Sequence, residues 1–294
     1  KTRTAEVGLD LGFLNNRFNL GFTYYNRLTM DKYSALSLPR TTGFSTVTYN
    51  NGQYRNAGIE LDFQGTLLRT RDFQWTLNAN ITYKKNTIVK LPENGLKNNR
   101  QGGYEVYTGN GNETHYVGGY QEGQTPGSFV GYGVVKMARS QADIEALGDY
   151  IDTGTTLGTG VYANESGRKR LIAEGITNLV QLMPGDLIFE DRNGDNWVDT
   201  KDRKVLGNLT PKWTGGFNTT LTWKGLSLYA RFDMGFDFQV YDSNIAFWLG
   251  EGQGAMSFND AVRDTWTPDN PGAKYPRVVW ASQYGTDSYI RTSS

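Results

Sequence analysis

The amino-acid sequence predicts an all-β protein: an antiparallel transmembrane β-barrel segment, part of a larger barrel, with long extracellular loops and one or two short loop helices. Three observations carry that expectation. Apolar residues recur with a period of two, the alternating runs outlast ordinary soluble strands, and the connections between them are alternately very short and very long. Composition agrees: 36 Gly, 18 Tyr, 14 Phe and 7 Trp stand in a chain that is 37% hydrophobic. Aromatic residues therefore carry much of the apolar character, which suits strands and turns.

The first pair of strands sets Val7, Leu9, Leu11 and Phe13 on one face, then Phe18, Leu20, Phe22 and Tyr24. Glu6, Gly8, Asp10, Gly12, Arg17, Asn19, Gly21 and Thr23 fall on the other face, and Asn15-Asn16 suits a two-residue hairpin because Asn tolerates positive φ. A second pair places Ile59, Leu61, Phe63 and Leu67 against Phe73, Trp75, Leu77, Ala79, Ile81 and Tyr83, joined by a short link from Arg69 to Asp72. In the third, Trp213, Gly215, Phe217, Leu221 and Trp223 lead through Lys224-Gly225 into Leu226, Leu228, Ala230, Phe232, Met234 and Phe236. Asn218, Thr220, Thr222, Tyr229, Arg231, Asp233 and Asp237 share its polar face.

Alternation alone fits a soluble β-sandwich equally well. Strand length and loop asymmetry favour the barrel, because runs of about 9 to 12 residues cross a bilayer at a tilt and soluble strands average about 5 to 6. Short links inside each pair contrast with a Gly/Ser/Thr/Asn loop after the second strand and an excursion from about residue 85 to residue 212. Two vaguer strands are expected near Val278 to Trp280 and Ser288 to Arg291. Six clear strands are few for loops this long, so the sequence reads as residues 1–294 of a partial barrel domain whose other strands lie elsewhere. Capping-box patterns at Ser140 to Asp143, stopped by Gly148, and at Ser257 to Asp260 predict the short helices.

Several function classes are excluded or disfavoured. Lys plus Arg equals Asp plus Glu, 30 against 30, so no overall field draws the chain to nucleic acid. Absence of Cys removes disulfides, thiolate nucleophiles and Cys-type zinc sites. The opening KTRTAEVGLDLGF lacks the order of a secretory signal peptide, and no window approaches the roughly 18 to 20 apolar residues of a membrane helix. Enzyme signatures are thin, so the expectation is not an enzyme. His115 is the single histidine, set in GNGNETHYVGG, and the glycines from 102 to 133 read as a flexible loop. A barrel hydrolase would need His115 or a carboxylate pair beside a nucleophile.

One stretch has metal-ligand spacing. In FEDRNGDNWVDTKDR, Asp191, Asn193, Asp195, the carbonyl of Trp197, Asp199 and Asp202 take positions 1, 3, 5, 7, 9 and 12 of an EF-hand-type loop. Asn196 replaces the usual Gly and Asp202 the usual Glu, and no amphipathic helices flank the loop, so a helix-pair sensor is not expected. Two readings stay open: a structural Ca²⁺ clip, or an ion-free cluster of Asp, Asn and Gly turns.

These residues also carry a family resemblance. Pro184-Gly-Asp186, Asp191-Arg-Asn-Gly-Asp195, Val198-Asp199, Asp202-Arg203, Gly207-Asn208 and Pro211, with NGQYRNAGIEL at 51 to 61 and TWTPDNPGAKYPR at 265 to 277, resemble the signature of SusC-like TonB-dependent outer-membrane transporters. The resemblance covers a C-terminal part of such a barrel, without the plug domain. It implies an outer-membrane location in a Gram-negative, Bacteroidota-like bacterium, contact with outer-membrane lipid and a SusD-like surface lipoprotein as lid. It also implies import of oligosaccharide or peptide nutrients, driven by the TonB complex through the missing N-terminal part. The rival reading of the sequence is a secreted, calcium-clipped β-sandwich acting as an adhesin or glycan-binding module.

Overall fold

A computed structural model describes residues 1–155, 158–240 and 263–278. They divide into two compact units: residues 1–103, 118–128 and 207–239 form one, and 104–117, 129–206 and the described residues after 239 form the other.

The first unit is a barrel wall. It opens with β1 (Thr2–Phe13), β2 (Phe18–Ser37), β3 (Thr46–Arg69) and β4 (Phe73–Lys90). The excursion then holds β5 (Tyr104–Tyr107), β6 (Thr114–Val117), β7 (Ser128–Tyr132), β8 (Val134–Met137), helix α1 (Gln141–Glu145), β9 (Ile151–Asp152), β10 (Gly160–Tyr162), helix α2 (Glu165–Ala173), β11 (Leu179–Gln181), β12 (Leu187–Phe189), β13 (Trp197–Val198) and β14 (Arg203–Asn208). The chain returns through β15 (Trp213–Trp223) and β16 (Leu226–Phe236). The wall is one six-stranded sheet in the order β1-β2-β3-β4-β15-β16, each neighbouring pair of strands antiparallel.

Register fulfils the alternation. Leu9 opposes Phe22, Phe22 opposes Leu61, Leu61 opposes Ile81, Ile81 opposes Gly215 and Gly215 opposes Met234, so one apolar face runs across all six strands. Among the described residues, no second sheet covers it. Val7 is 68% exposed and Leu226 70%, with Leu9, Phe13, Trp223, Leu228 and Phe236 also exposed. A sandwich would bury this face, so the sandwich reading is overturned, and lipid is the medium that makes such a face stable. The outward Trp75 indole donates to Thr219 Oγ1 at 2.7 Å, which satisfies its N–H without water.

Turn chemistry explains two differences from expectation. Phe13 pairs with Phe18, so the first hairpin has a four-residue connection rather than a two-residue one, with Leu14, Asn15 and Asn16 all at positive φ. Lys224 and Gly225, at φ 45 and 87, do form a two-residue turn between Trp223 and Leu226. Positive φ at both central residues is the type I′ geometry that matches strand twist. The pairing of β3 with β4 slips between Thr66 and Leu68, which puts Leu68 rather than Leu67 opposite Trp75.

The loop expected between the second and third strands is mostly strand. The β2–β3 ladder continues to Ser37 opposite Thr46, leaving only residues 38 to 45 as connection. The sheet faces there are irregular, because Asp31 at φ 55 interrupts the register on either side of Lys32.

The second unit has its own core. Tyr132, Ala138, Ile144, Tyr150, Val161, Leu182, Ile188, Phe189 and Val198 pack together, and β11, β10, β9 and β13 form a small sheet. The expected helix is α1: Ser140 accepts from the Asp143 N–H, Asp143 reciprocates, and Gly148 lies beyond the end at φ 61. Helix α2, which the sequence did not predict, is capped by Asn164 and buries Leu171; its apolar residues are bunched at 171 to 173 instead of recurring as a helical stripe. The supposed flexible stretch from 102 to 133 contains β5, β6 and β7, and His115 pairs with Val106 in the β5–β6 hairpin. The helix expected at Ser257 and the strand near Ser288 lie outside the described residues, as does all of the other expected strand but Val278.

Candidate functional site

The polar face of the wall is set by the same register. Asp10 faces Gly21, Asp62 faces Asn80, and Asn78 faces Asn218, whose Oδ1 accepts from Asn78 Nδ2 at 2.9 Å. These residues, with Arg231 and Asp233, line a cavity of about 860 Å³ on that side of the sheet. Arg231 and Asp233 pair at 3.1 Å. Apolar side chains point one way and hydrogen-bonding ones the other, as a wall between lipid and a wet lumen requires.

The acidic stretch lies in the second unit between β12 and β14, so strands rather than helices flank it. Its carboxylates close the loop on its own backbone. Asp191 accepts from Gly194 N–H at 2.8 Å and from Asn196 N–H at 2.7 Å, which requires Gly194 and Asn196 at φ 80 and 61. Asn196 therefore performs the turn that Gly would otherwise make. Asp195 accepts from Trp197 N–H at 2.7 Å and Asn193 Nδ2 at 3.0 Å. Asp199 caps a single 3₁₀ turn at Lys201, and Asp202 Oδ2 returns to the Asp199 N–H at 2.7 Å. Trp197 sits in β13, its indole donating to Thr153 Oγ1 at 2.7 Å and its ring under the Arg170 guanidinium.

Asp202 has no exposed surface, and burial pushes its carboxyl up to about 7 despite the N–H groups of Asp199 and Arg192. Tyr107 donates to Asp199 at 3.2 Å, and burial, reinforced by that carboxylate, raises its phenol to about 12. All six residues singled out by spacing thus share one loop. Among the described residues, no three carboxylate or imidazole groups converge as a metal-holding cluster. The Oδ1 of Asn193 is nonetheless buried without a hydrogen-bond partner. Spacing gave no hint of Asn112, which accepts from Asn193 Nδ2 at 2.8 Å, nor of Tyr107, because both arrive from a hairpin about 80 to 90 residues upstream.

A second group of motif residues meets in the same unit. Arg277 donates to Asp186 Oδ1 at 2.6 Å and Oδ2 at 3.3 Å, and Gly185, at φ 94, lies against the Trp266 ring. Arg139 holds the backbone carbonyls of Pro271 and Ala273.

No family model matches the chain. It is similar to TonB-dependent receptor P3 of Formosa agariphila, 28% identical over 297 residues that cover 100% of this chain and 26% of that receptor. TonB-dependent receptor SusC of Bacteroides thetaiotaomicron is 40% identical over 92 residues, 31% of this chain and 9% of SusC. The chain is thus similar to part of such TonB-dependent receptors, SusC among them. The structure of the RagAB peptide transporter superposes with a TM-score of 0.57 and 21% identity over 98% of this chain and 27% of that one, a likeness of fold. The chain spans about a quarter of the length of receptor P3 and of the superposed transporter chain. These relatives are named as receptors and the superposed structure as a transporter, none of them as an enzyme.

Proposed function

We propose that the segment is part of the wall of a TonB-dependent importer, and that nutrients pass along its polar face through a gated lumen without covalent chemistry. The observation that carries this reading is the uncovered apolar face backed by a hydrogen-bonding one across six strands. Likeness to receptors of Bacteroidota supports a host of that kind. The RagAB transporter is named for peptide; glycan or peptide pieces are proposed as cargo here, with a SusD-like lipoprotein as extracellular lid and TonB as the energy source. The test uses the full-length receptor in its own cells: cargo uptake is expected to vanish on deletion of the receptor or of TonB, and the lid to co-purify. Undiminished uptake in both deletions would overturn the reading.

The acidic loop is proposed as a structural clip on the extracellular side, with Ca²⁺ as the ion its donor types suit. The unpartnered Asn193 Oδ1 favours an ion; the hydrogen bonds to Asp191 and Asp195 supply a clip without one. Calorimetry on the full-length receptor decides between them. Calcium uptake lost in Asp195→Ala, with faster proteolysis at the loop, is expected. No uptake and unchanged proteolysis would remove the ion.

A further inference from the structure

The β2–β3 hairpin rises past the wall at the end away from the short turns, and a cavity of about 500 Å³ lies against it within the first unit. Its position follows from a device in the sequence. Asp31 at φ 55 breaks the register on either side of Lys32, and Gly52 opposite has no room for a side chain, since a Cβ there would meet the Lys32 carbonyl oxygen at 2.9 Å. Bulges at barrel rims re-aim side chains. Here the irregularity delivers Lys32 and Tyr33 to the cavity.

The opposite side is pinned. Gln101 and Tyr120 exchange backbone hydrogen bonds at 2.9 and 3.1 Å, and Gln101 Nε2 reaches the Ala35 carbonyl at 2.5 Å. The end of β4 is tied to the same segment through Ile88 N–H to Gln124 O at 3.0 Å and Gly123 N–H to Ile88 O at 2.8 Å. Lys32 Nζ stands 5.0 Å from the centre of the Tyr54 ring, which orients its ammonium by cation–π attraction. Tyr33 and Tyr120 keep free faces, 75% and 58% exposed. Lys90 is the second cation, and among the described residues no carboxylate lines the cavity.

We infer that Lys32, Lys90, Tyr33 and Tyr120 form a subsite for an anionic sugar unit, a ring bearing carboxylate or sulfate, at the mouth of the lumen. Flat aromatic faces match the apolar face of a pyranose ring, and two ammonium groups without a competing acid match its charge. An extended peptide would instead need unpaired backbone groups. The Ala35 carbonyl, both backbone groups of Gln101 and Tyr120, and both of Ile88 are already bonded. The inference rests on the importer reading and names the cargo chemistry that reading leaves open.

The test uses the full-length receptor in detergent, titrated with a tetragalacturonate, with neutral maltotetraose and with an acidic tetrapeptide. Tetragalacturonate is expected to bind best. Lys32→Gln and Lys90→Gln should each weaken it about tenfold and flatten its salt dependence, and Tyr120→Ala about tenfold, with an unchanged unfolding temperature as the fold control. Equal affinity for maltotetraose, tighter binding of the peptide, or wild-type affinity in all three variants would overturn the subsite. TonB-dependent uptake in cells separates the failures: uptake that persists in variants with unaltered galacturonate affinity leaves the importer standing without this subsite, whereas loss of TonB dependence removes the importer itself.

Discussion

Arg277 grips Asp186 through both carboxylate oxygens, at 2.6 and 3.3 Å, across 91 residues of sequence. The pair is largely buried, with side-chain exposures of 18% and 8%, so it acts in a low-dielectric setting where an unpaired partner is costly. It joins the PGD turn at 184 to 186 to the YPR end of TWTPDNPGAKYPR, two motifs that a linear reading leaves unconnected.

Breaking that pair is expected to loosen the second unit. Arg277→Ala should cost about 3 to 5 kcal/mol, because it takes the guanidinium away from a buried carboxylate. Replacing both residues by Leu should cost less than the single change. Limited proteolysis of the full-length receptor reads the difference; equal digestion of wild type and Arg277→Ala would show that the pair does not hold the unit.

Adjacent residues of one strand should respond in opposite ways to charge. Leu61 points to lipid and Asp62 to the lumen side. Leu61→Arg is expected to lose about 2 to 4 kcal/mol of barrel stability near mid-bilayer, and Asp62→Asn to stay within about 0.5 kcal/mol. Urea unfolding in lipid vesicles measures both. A harmless Leu61→Arg would reverse the assignment of faces.

The turn at Lys224-Gly225 should be selective about glycine. Gly225→Val places a β-branched residue at φ 87 and should cost about 1 to 2 kcal/mol, whereas Lys224→Asn, the preferred residue of a type I′ turn, should be neutral or stabilising. The same unfolding assay ranks the variants.

Stability of the acidic loop should depend on pH with an unusual sign. The folded Asp202 carboxyl is raised to about 7, above the ordinary value of about 4, so the folded state holds the extra proton between those limits. Its contribution is fully present below about pH 4 and is lost as pH rises through about 7. In calcium-free buffer, amide exchange around Asp199 and Arg192 should be slower at pH 5 than at pH 8, after correction for the intrinsic rate. Asp202→Asn should abolish that difference; a difference that persists would move its origin elsewhere.

Much of the wall was legible because period-two alternation is a local property. Each outward residue from Val7 to Phe236 needs only its own strand to declare its face, and the hairpins follow from short turns. The acidic loop was legible for the same reason, its Asp and Asn residues sharing one stretch of backbone. What was misread was also local: Asn15-Asn16 has turn chemistry, yet cross-strand pairing of Phe13 with Phe18 lengthened the turn. Leu67 alternates correctly, and a register slip gave its place to Leu68.

The sequence by itself determined the all-β class, the apolar and polar faces of the wall, the capped helix at Ser140 and the oxygen-rich loop. Each depends on residues within one turn or one strand of each other. Tertiary structure decided the rest. It showed that no second sheet covers the apolar face among the described residues, that the excursion builds a core from Tyr132 to Val198, and that Arg277 closes on Asp186. It also brought Tyr120 and Lys90 beside the bulged Lys32. Such contacts join residues tens of positions apart, and their specificity lies in the packing and hydrogen bonding of the folded chain, which no spacing in the sequence encodes.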